Sequence, residues 1–218
     1  MRSSRNPMTC WPQLAAVALV LPLLLGAGDA PQEAVEQPDY FPLAVGHRWD
    51  YRATYRMATG NTVNATASLT IEGLEIIAGQ EYYKAVIRTS GVLGDPVTTK
   101  YYRRTATAIV EAGGTKAAGD ITLLPVPLRN GDKWTTVLPD ELFFGKVTSR
   151  QEATVGWKVP VENQTFPNCA KIASTVETRL GSMKHDQWLA PGVGIVRQKQ
   201  TCPLWSMESV LTEFRPGR

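Results

Sequence analysis

From Trp49 onward the chain alternates with a period of two. Trp49, Tyr51, Ala53, Tyr55 and Met57 fall on one side, and Arg48, Asp50, Arg52, Thr54 and Arg56 on the other, as in a half-buried strand. Thr59-Gly60-Asn61 supplies turn chemistry, and a second run sets Ala65, Ala67, Leu69 and Ile71 against Asn64, Thr66, Ser68, Thr70 and Glu72. Residues 48–72 therefore predict a long hairpin. "IAGQE" turns the chain again before a strand over 82–89. After the loop "GVLGDP", the segments "VTTKYYRR", "TAIVEA" and "DITLLPV" read as further strands. In the second half Val147, Ser149, Gln151, Ala153, Val155 and Trp157 alternate with Thr148, Arg150, Glu152 and Lys158. Ile172, Ser174, Val176 and Leu180 do the same against Lys171, Thr175, Glu177 and Arg179. No window past the first thirty residues carries a helical apolar stripe. "LPDELFF", residues 138–144, is either one helical turn or a lid-like loop, and "SMKHDQW", residues 182–188, reads as a polar hairpin turn. In "PGVGIV" the residues Pro191, Gly192 and Gly194 shape a turn and a bulge entering a strand.

The pattern is also periodic on a longer scale. "FPLAVGHRWDY" and "VPLRNGDKWTT" share a frame of Pro-Leu, two residues, Gly, two residues, Trp, and Trp49 and Trp134 are 85 residues apart. Lys84 and Lys171 are 87 apart, Tyr102 and Trp188 86, and Ile109 and Ile195 86. Near-constant spacing predicts two tandem units of about 85 residues, spanning about 40–125 and 126–215. The expected fold is all-β and mainly antiparallel, a curved sheet or half-barrel with little helix. Trp49 and Trp134 are its expected anchors, each burying a large ring at the start of a unit.

Before this domain, Arg2 and Arg5 precede the apolar run "LAAVALVLPLLLGA" and the small residues "GAGDA", the order of a secretory signal peptide over residues 1–30. The run is shorter than the ~20 residues of a spanning helix and holds Pro22. Residues 31–39 form a polar, proline-bounded linker, and 40–218 the exported β domain, periplasmic or secreted, with no integral membrane segment after cleavage. The formal net charge of +3 calls for no nucleic acid. Of three cysteines, Cys10 precedes the apolar core and is not a lipid-bearing cysteine. Cys169 and Cys202, in an oxidising compartment, are an expected disulfide, the alternative being two separately buried thiols.

Candidate chemistry is sparse. His47 and His185 are the only histidines, far apart in sequence, with no metal-ligand cluster around either, so no metal and no cofactor is expected. Ser182, His185 and Asp186 are the one compact nucleophile candidate, but no G-x-S-x-G elbow accompanies them. Arg48, Arg52 and Arg56 lie on one strand face, either as an anion-binding or glycan-binding stripe or as partners for carboxylates on neighbouring strands.

"YFPLAVGHRWDY", "VPLRNGDKW", "VPVENQTFPNCAKI" and "WLAPGVGIVR" together resemble the exported bacterial proteins called TapB-like, over roughly residues 40–215. "VENQ" stands where that family has a shorter Ala-Gly turn. The resemblance implies a curved antiparallel fold, distantly similar to the half-barrels of lipoprotein carriers such as LolA, and no catalytic residues. The functional expectation is a non-enzymatic exported domain that binds a lipid or other apolar ligand in the concavity of its sheet. The rival readings are a structural or adaptor module docking an envelope protein, with a well-filled core, and an unrecognised hydrolase.

Overall fold

The computed structural model describes residues 37–91, 96–113, 119–141, 145–178 and 181–217, all within one unit, Gln37–Arg218. Twelve strands follow one another: β1 (Arg48–Met57), β2 (Thr62–Ile77), β3 (Gln80–Ser90), β4 (Val97–Arg104), β5 (Ala108–Ala112) and β6 (Asp120–Pro125) in the first half. The second half holds β7 (Lys133–Glu141), β8 (Gly145–Val161), β9 (Gln164–Thr178), β10 (Gly181–Ala190), β11 (Gly194–Thr201) and β12 (Trp205–Arg215). No helix occurs among the described residues.

The sheet runs in the order β6-β5-β4-β3-β2-β1-β12-β11-β10-β9-β8-β7, and every ladder is antiparallel. Consecutive strands pair throughout except at mid-chain, where β6 and β7 are the two edges, while the terminal strands β1 and β12 pair with each other. The edges approach closely enough for Thr136 Oγ1 on β7 to donate to the Thr122 carbonyl on β6 at 2.8 Å. The result is a nearly closed up-and-down barrel, closed further than the half-barrel expected from the sequence. Register shifts at Asp50/Tyr51, Ile71/Gly73 and Trp188/Leu189 are bulges, which bend strands and sharpen twist as closure requires.

Period-two alternation explains which side each residue takes. Trp49 lies opposite Leu69 and Ala53 opposite Ala65, so the apolar positions of the first hairpin share the inner face. The β2–β3 link is a two-residue loop with positive φ at Ala78 and Gly79, the backbone that suits the right-handed twist of flanking strands. "SMKHDQW" is not a turn but most of β10, with Met183 opposite Val176 and His185 opposite Ser174. Its polarity misleads because part of it faces a polar stretch of the interior rather than water. Residues 138–141 of "LPDELFF" continue β7 instead of forming a helical turn; residues 142–144 lie outside the described residues.

The ends of β8 and β9 run beyond the barrel wall as an arm. Gly156, at φ 90°, and register shifts on either side of Trp157 turn it back. Glu162 at its tip meets Arg52 of β1 at 2.8 Å; Arg52 alternates with the inward Tyr51, so the arm lies on the outer side. This explains why Ala190 and Val196, whose alternation points outward, are buried: Val159, Val161 and Phe166 of the arm belong to the same cluster.

Cys169, at the base of the arm, is 0 % exposed, and its thiol donates to the Phe166 carbonyl at 3.4 Å. The disulfide expected from the sequence is not formed: Cys169 and Cys202 are both free. Cys169 adjoins Ala170, opposite Leu189 of β10, whereas Cys202 follows Thr201, opposite Lys184. At ~3.3 Å per strand residue the two are about 20 Å apart, well beyond the roughly 7 Å that a bridge spans. Burial also pushes the Cys169 thiol up to about 11, which suppresses the reactive thiolate. In a chain beginning at residue 31, native alkylation at pH 7.5 is expected to label Cys202 alone and denaturation to expose the second thiol. A mass 2 Da lower before reduction than after it would restore the bridge.

Candidate functional site

The barrel encloses a cavity of about 370 Å³, within the ~300–1,000 Å³ range of small-molecule sites. One end is closed by the segment that precedes β1. Phe41, Pro42 and Leu43 form part of the cavity wall there, and Phe41 meets Tyr102 edge-on at a centroid distance of 5.3 Å. The segment is pinned by Arg104, which donates to Asp39 at 2.5 Å and to the Phe41 carbonyl at 3.2 Å. Gly192 N–H bonds the Asp39 carbonyl at 2.7 Å, and the Tyr40 hydroxyl reaches the Asn168 carbonyl at 3.0 Å.

Trp49 anchors the same end. Its Nε1 donates to the Val193 carbonyl at 2.5 Å, and its ring stacks on Phe214 at 5.2 Å. Gly194 lies against Trp49 and Pro42, where a Cβ would make only ordinary contact, and it is the φ of 92° that favours glycine there. The second frame lies at this end too, since β1 and β7 are both odd strands of a meander. Val126, Leu128 and Trp134 pack against the cluster that holds Leu124, Ile172 and Leu189. Trp134 is half-buried and its Nε1 lacks a partner.

Inward positions on β8, β9 and β10 give the wall three tiers. Leu189 lies nearest the closed end, followed by the row Ala153, Ile172 and Gln187; next come Gln151, Ser174 and His185; beyond them lie Ser149, Val176 and Met183. Tyr51, Leu69 and Tyr102 line the cavity from the first six strands. Burial holds both phenols above their ordinary range, so they are neutral, and the Tyr51 hydroxyl donates to the Ile195 carbonyl at 3.0 Å. The carboxylate in the wall, Glu111, is paired with Lys100 at 2.6 Å. Desolvation lowers His185 below the usual histidine range, against the raising effects of the hydrogen bond between its Nε2 and the Gln198 side-chain oxygen at 3.3 Å and of the nearby Asp186, so its imidazole is neutral at pH 7.

The residues singled out from the sequence are not brought together. His185 faces the cavity, but Asp186 points outward to Lys171 at 2.9 Å, and Ser182 shares that outer face and is exposed. Neighbours on a strand diverge, so these three do not form a nucleophile, base and orienter. His47 sits between Trp49 and Phe214, at centroid distances of 5.6 and 5.4 Å. The arginine face is largely paired: Arg48 with Asp50 and Arg52 with Glu162, each at 2.8 Å. Arg103 pairs with Asp120 beneath the Tyr82 ring. What sequence reasoning missed is the polar tier. Its signal was visible, since Ser149, Gln151 and Ser174 occupy the apolar side of the alternation.

No family model matches the chain, and no curated protein matches it. Solved structures do. A Bacteroides fragilis NCTC 9343 protein, solved as an exported protein with a YmcC-like fold, superposes with a TM-score of 0.51 at 13 % identity, covering 82 % of this chain and all of that one. A lipoprotein of Parabacteroides distasonis ATCC 8503 gives 0.45 at 15 % identity over 82 % and 99 % of the two chains. The lipoprotein YmcC of Escherichia coli K12 gives 0.34 at 10 % identity over 82 % and 91 %. At these identities the first likeness concerns the fold.

Proposed function

We propose that this chain is an exported, non-enzymatic binding protein whose barrel interior takes a lipid or other apolar ligand. The observation that carries this reading is the 370 Å³ cavity with its largely apolar wall, closed at one end by Phe41, Pro42 and Leu43. A protein that serves only as scaffold gains stability by filling such a space, because interiors pack at crystal-like density. The cavity therefore favours a ligand carrier over an adaptor. The signal-like N-terminus supports export, to the periplasm or beyond, and the Bacteroides fragilis protein of the same fold was solved as an exported protein.

The test is binding by the intact exported chain. Protein purified from a secreting bacterium without denaturation is expected to carry a non-covalent adduct in native mass spectrometry. Once stripped, it should bind the neutral dye N-phenyl-1-naphthylamine at one saturable site. An adduct-free spectrum together with no saturable dye binding removes the carrier reading and restores the adaptor.

A further inference from the structure

The inward polar residues form a continuous line across four strands. Gln151 of β8 lies opposite Ser174 of β9, Ser174 opposite His185 of β10, and His185 opposite Gln200 of β11. Directly opposed residues share a face, and all four line the cavity. Gln187 joins them one inward step toward the closed end, and Ser149 and Thr136 one step away from it, again opposite each other. Each of these side chains hydrogen-bonds without carrying charge near neutral pH.

Such a line has a cost in a barrel interior, where an unmatched polar group loses about 1–3 kcal/mol. Some members satisfy one another: Thr136 Oγ1 lies 3.1 Å from the Gln151 amide, and His185 lies 3.3 Å from Gln198. Ser174 and Gln187 have no side-chain hydrogen-bond partner among the described residues. The rows on either side are mostly apolar, Ala153 and Ile172 beside Gln187 toward the closed end and Val176 and Met183 beside Ser149 away from it, and Tyr51, Leu69 and Tyr102 contribute rings and an aliphatic chain to the wall. A ligand here meets apolar surface with one band of hydrogen-bonding groups. A buried anion would need a cation, and Lys100, the cation beside the wall, is already engaged by Glu111.

We infer that the line Gln151, Ser174, His185 and Gln200, with Gln187 beside it, receives the uncharged polar group of an amphiphilic ligand, a hydroxyl, ester or amide rather than a carboxylate or phosphate. This rests on the ligand-binding reading above and narrows its substrate class. The experiment compares monomyristoylglycerol with myristate as displacers of N-phenyl-1-naphthylamine at pH 8, where the acid is ionised. The neutral ester is expected to displace the dye at a concentration lower by about tenfold or more, the scale of one good hydrogen bond or one unpaired charge. In the double variant Gln151→Leu, Gln187→Leu the preference, read as the ratio of the two lipids' displacing concentrations in that same variant, should collapse to within about threefold. Ser174→Ala, a milder change, should reduce the preference in the same direction if the double variant does not fold. Absence of dye binding overturns the carrier reading itself. Dye binding with equal displacement by the two lipids, preference for myristate, or a preference untouched in folded variants overturns the headgroup assignment and leaves the carrier reading standing.

Discussion

Replacing Trp49 with alanine is expected to destabilise the barrel by about 3–5 kcal/mol, the range for removing a buried aromatic side chain. The ring is 6 % exposed, stacks on Phe214 of the partner strand β12, and ties β1 to the β10–β11 turn through Val193. Its loss opens a void where the terminal strands meet and orphans the Val193 carbonyl. Typical domain stabilities of about 5–15 kcal/mol leave such a variant near its limit. Trp134→Ala should cost less, roughly 1–2 kcal/mol, because that ring is half-buried and its Nε1 has no partner. Urea unfolding checks both: the Trp49→Ala midpoint should fall at least about one and a half times as far, with unchanged m-values. Equal shifts would mean that the two frames are equivalent anchors.

Ser174→Trp is expected to abolish ligand binding in a protein that stays folded. Ser174 sits at the centre of the inner wall and lines the cavity, so a ring built there enters empty space rather than packed core. Overpacking penalties of about 1–3 kcal/mol arise where the site is already full, and this one is not. Dye titration should show at least a hundredfold weaker binding, with the circular dichroism spectrum and unfolding midpoint close to those of the parent chain. Retained affinity in the folded variant would place the ligand outside the barrel. The outward neighbour Thr175→Trp is the control, since its side chain leaves the wall on the other face.

The hairpins were legible because their alternation is unbroken. Trp49 to Met57 and Ala65 to Ile71 announce both the strands and their inner face, and the structure pairs them as β1 and β2. The landmark pairs also fall on strands of matching rank, β1 and β7, β3 and β9, β4 and β10, β5 and β11; we propose that two six-stranded units arose by duplication. The arm was not legible, since nothing local distinguishes Val159 and Val161 packing on the outside of a barrel from strand residues facing a core. Nor was the line of polar side chains. Ser174 and His185 become neighbours only through a register, and a register is set by contacts far along the chain. The cysteines failed for the same reason: an even count speaks to redox state, whereas bridging depends on where two strand ends lie.

The closing ladder joins the first strand to the last. Asp50 takes a hydrogen bond from Arg215, 165 residues later, and β1 finds its second neighbour only in β12. A chain that emerges from its N-terminus must therefore complete almost its whole length before the edge of β1 is covered. Such distant pairing is slow, and an unpaired edge is a template for aggregation while it waits. The arrangement makes a holding chaperone most useful late in synthesis or translocation, and it makes truncation at the C-terminus far more damaging than the number of residues lost would suggest.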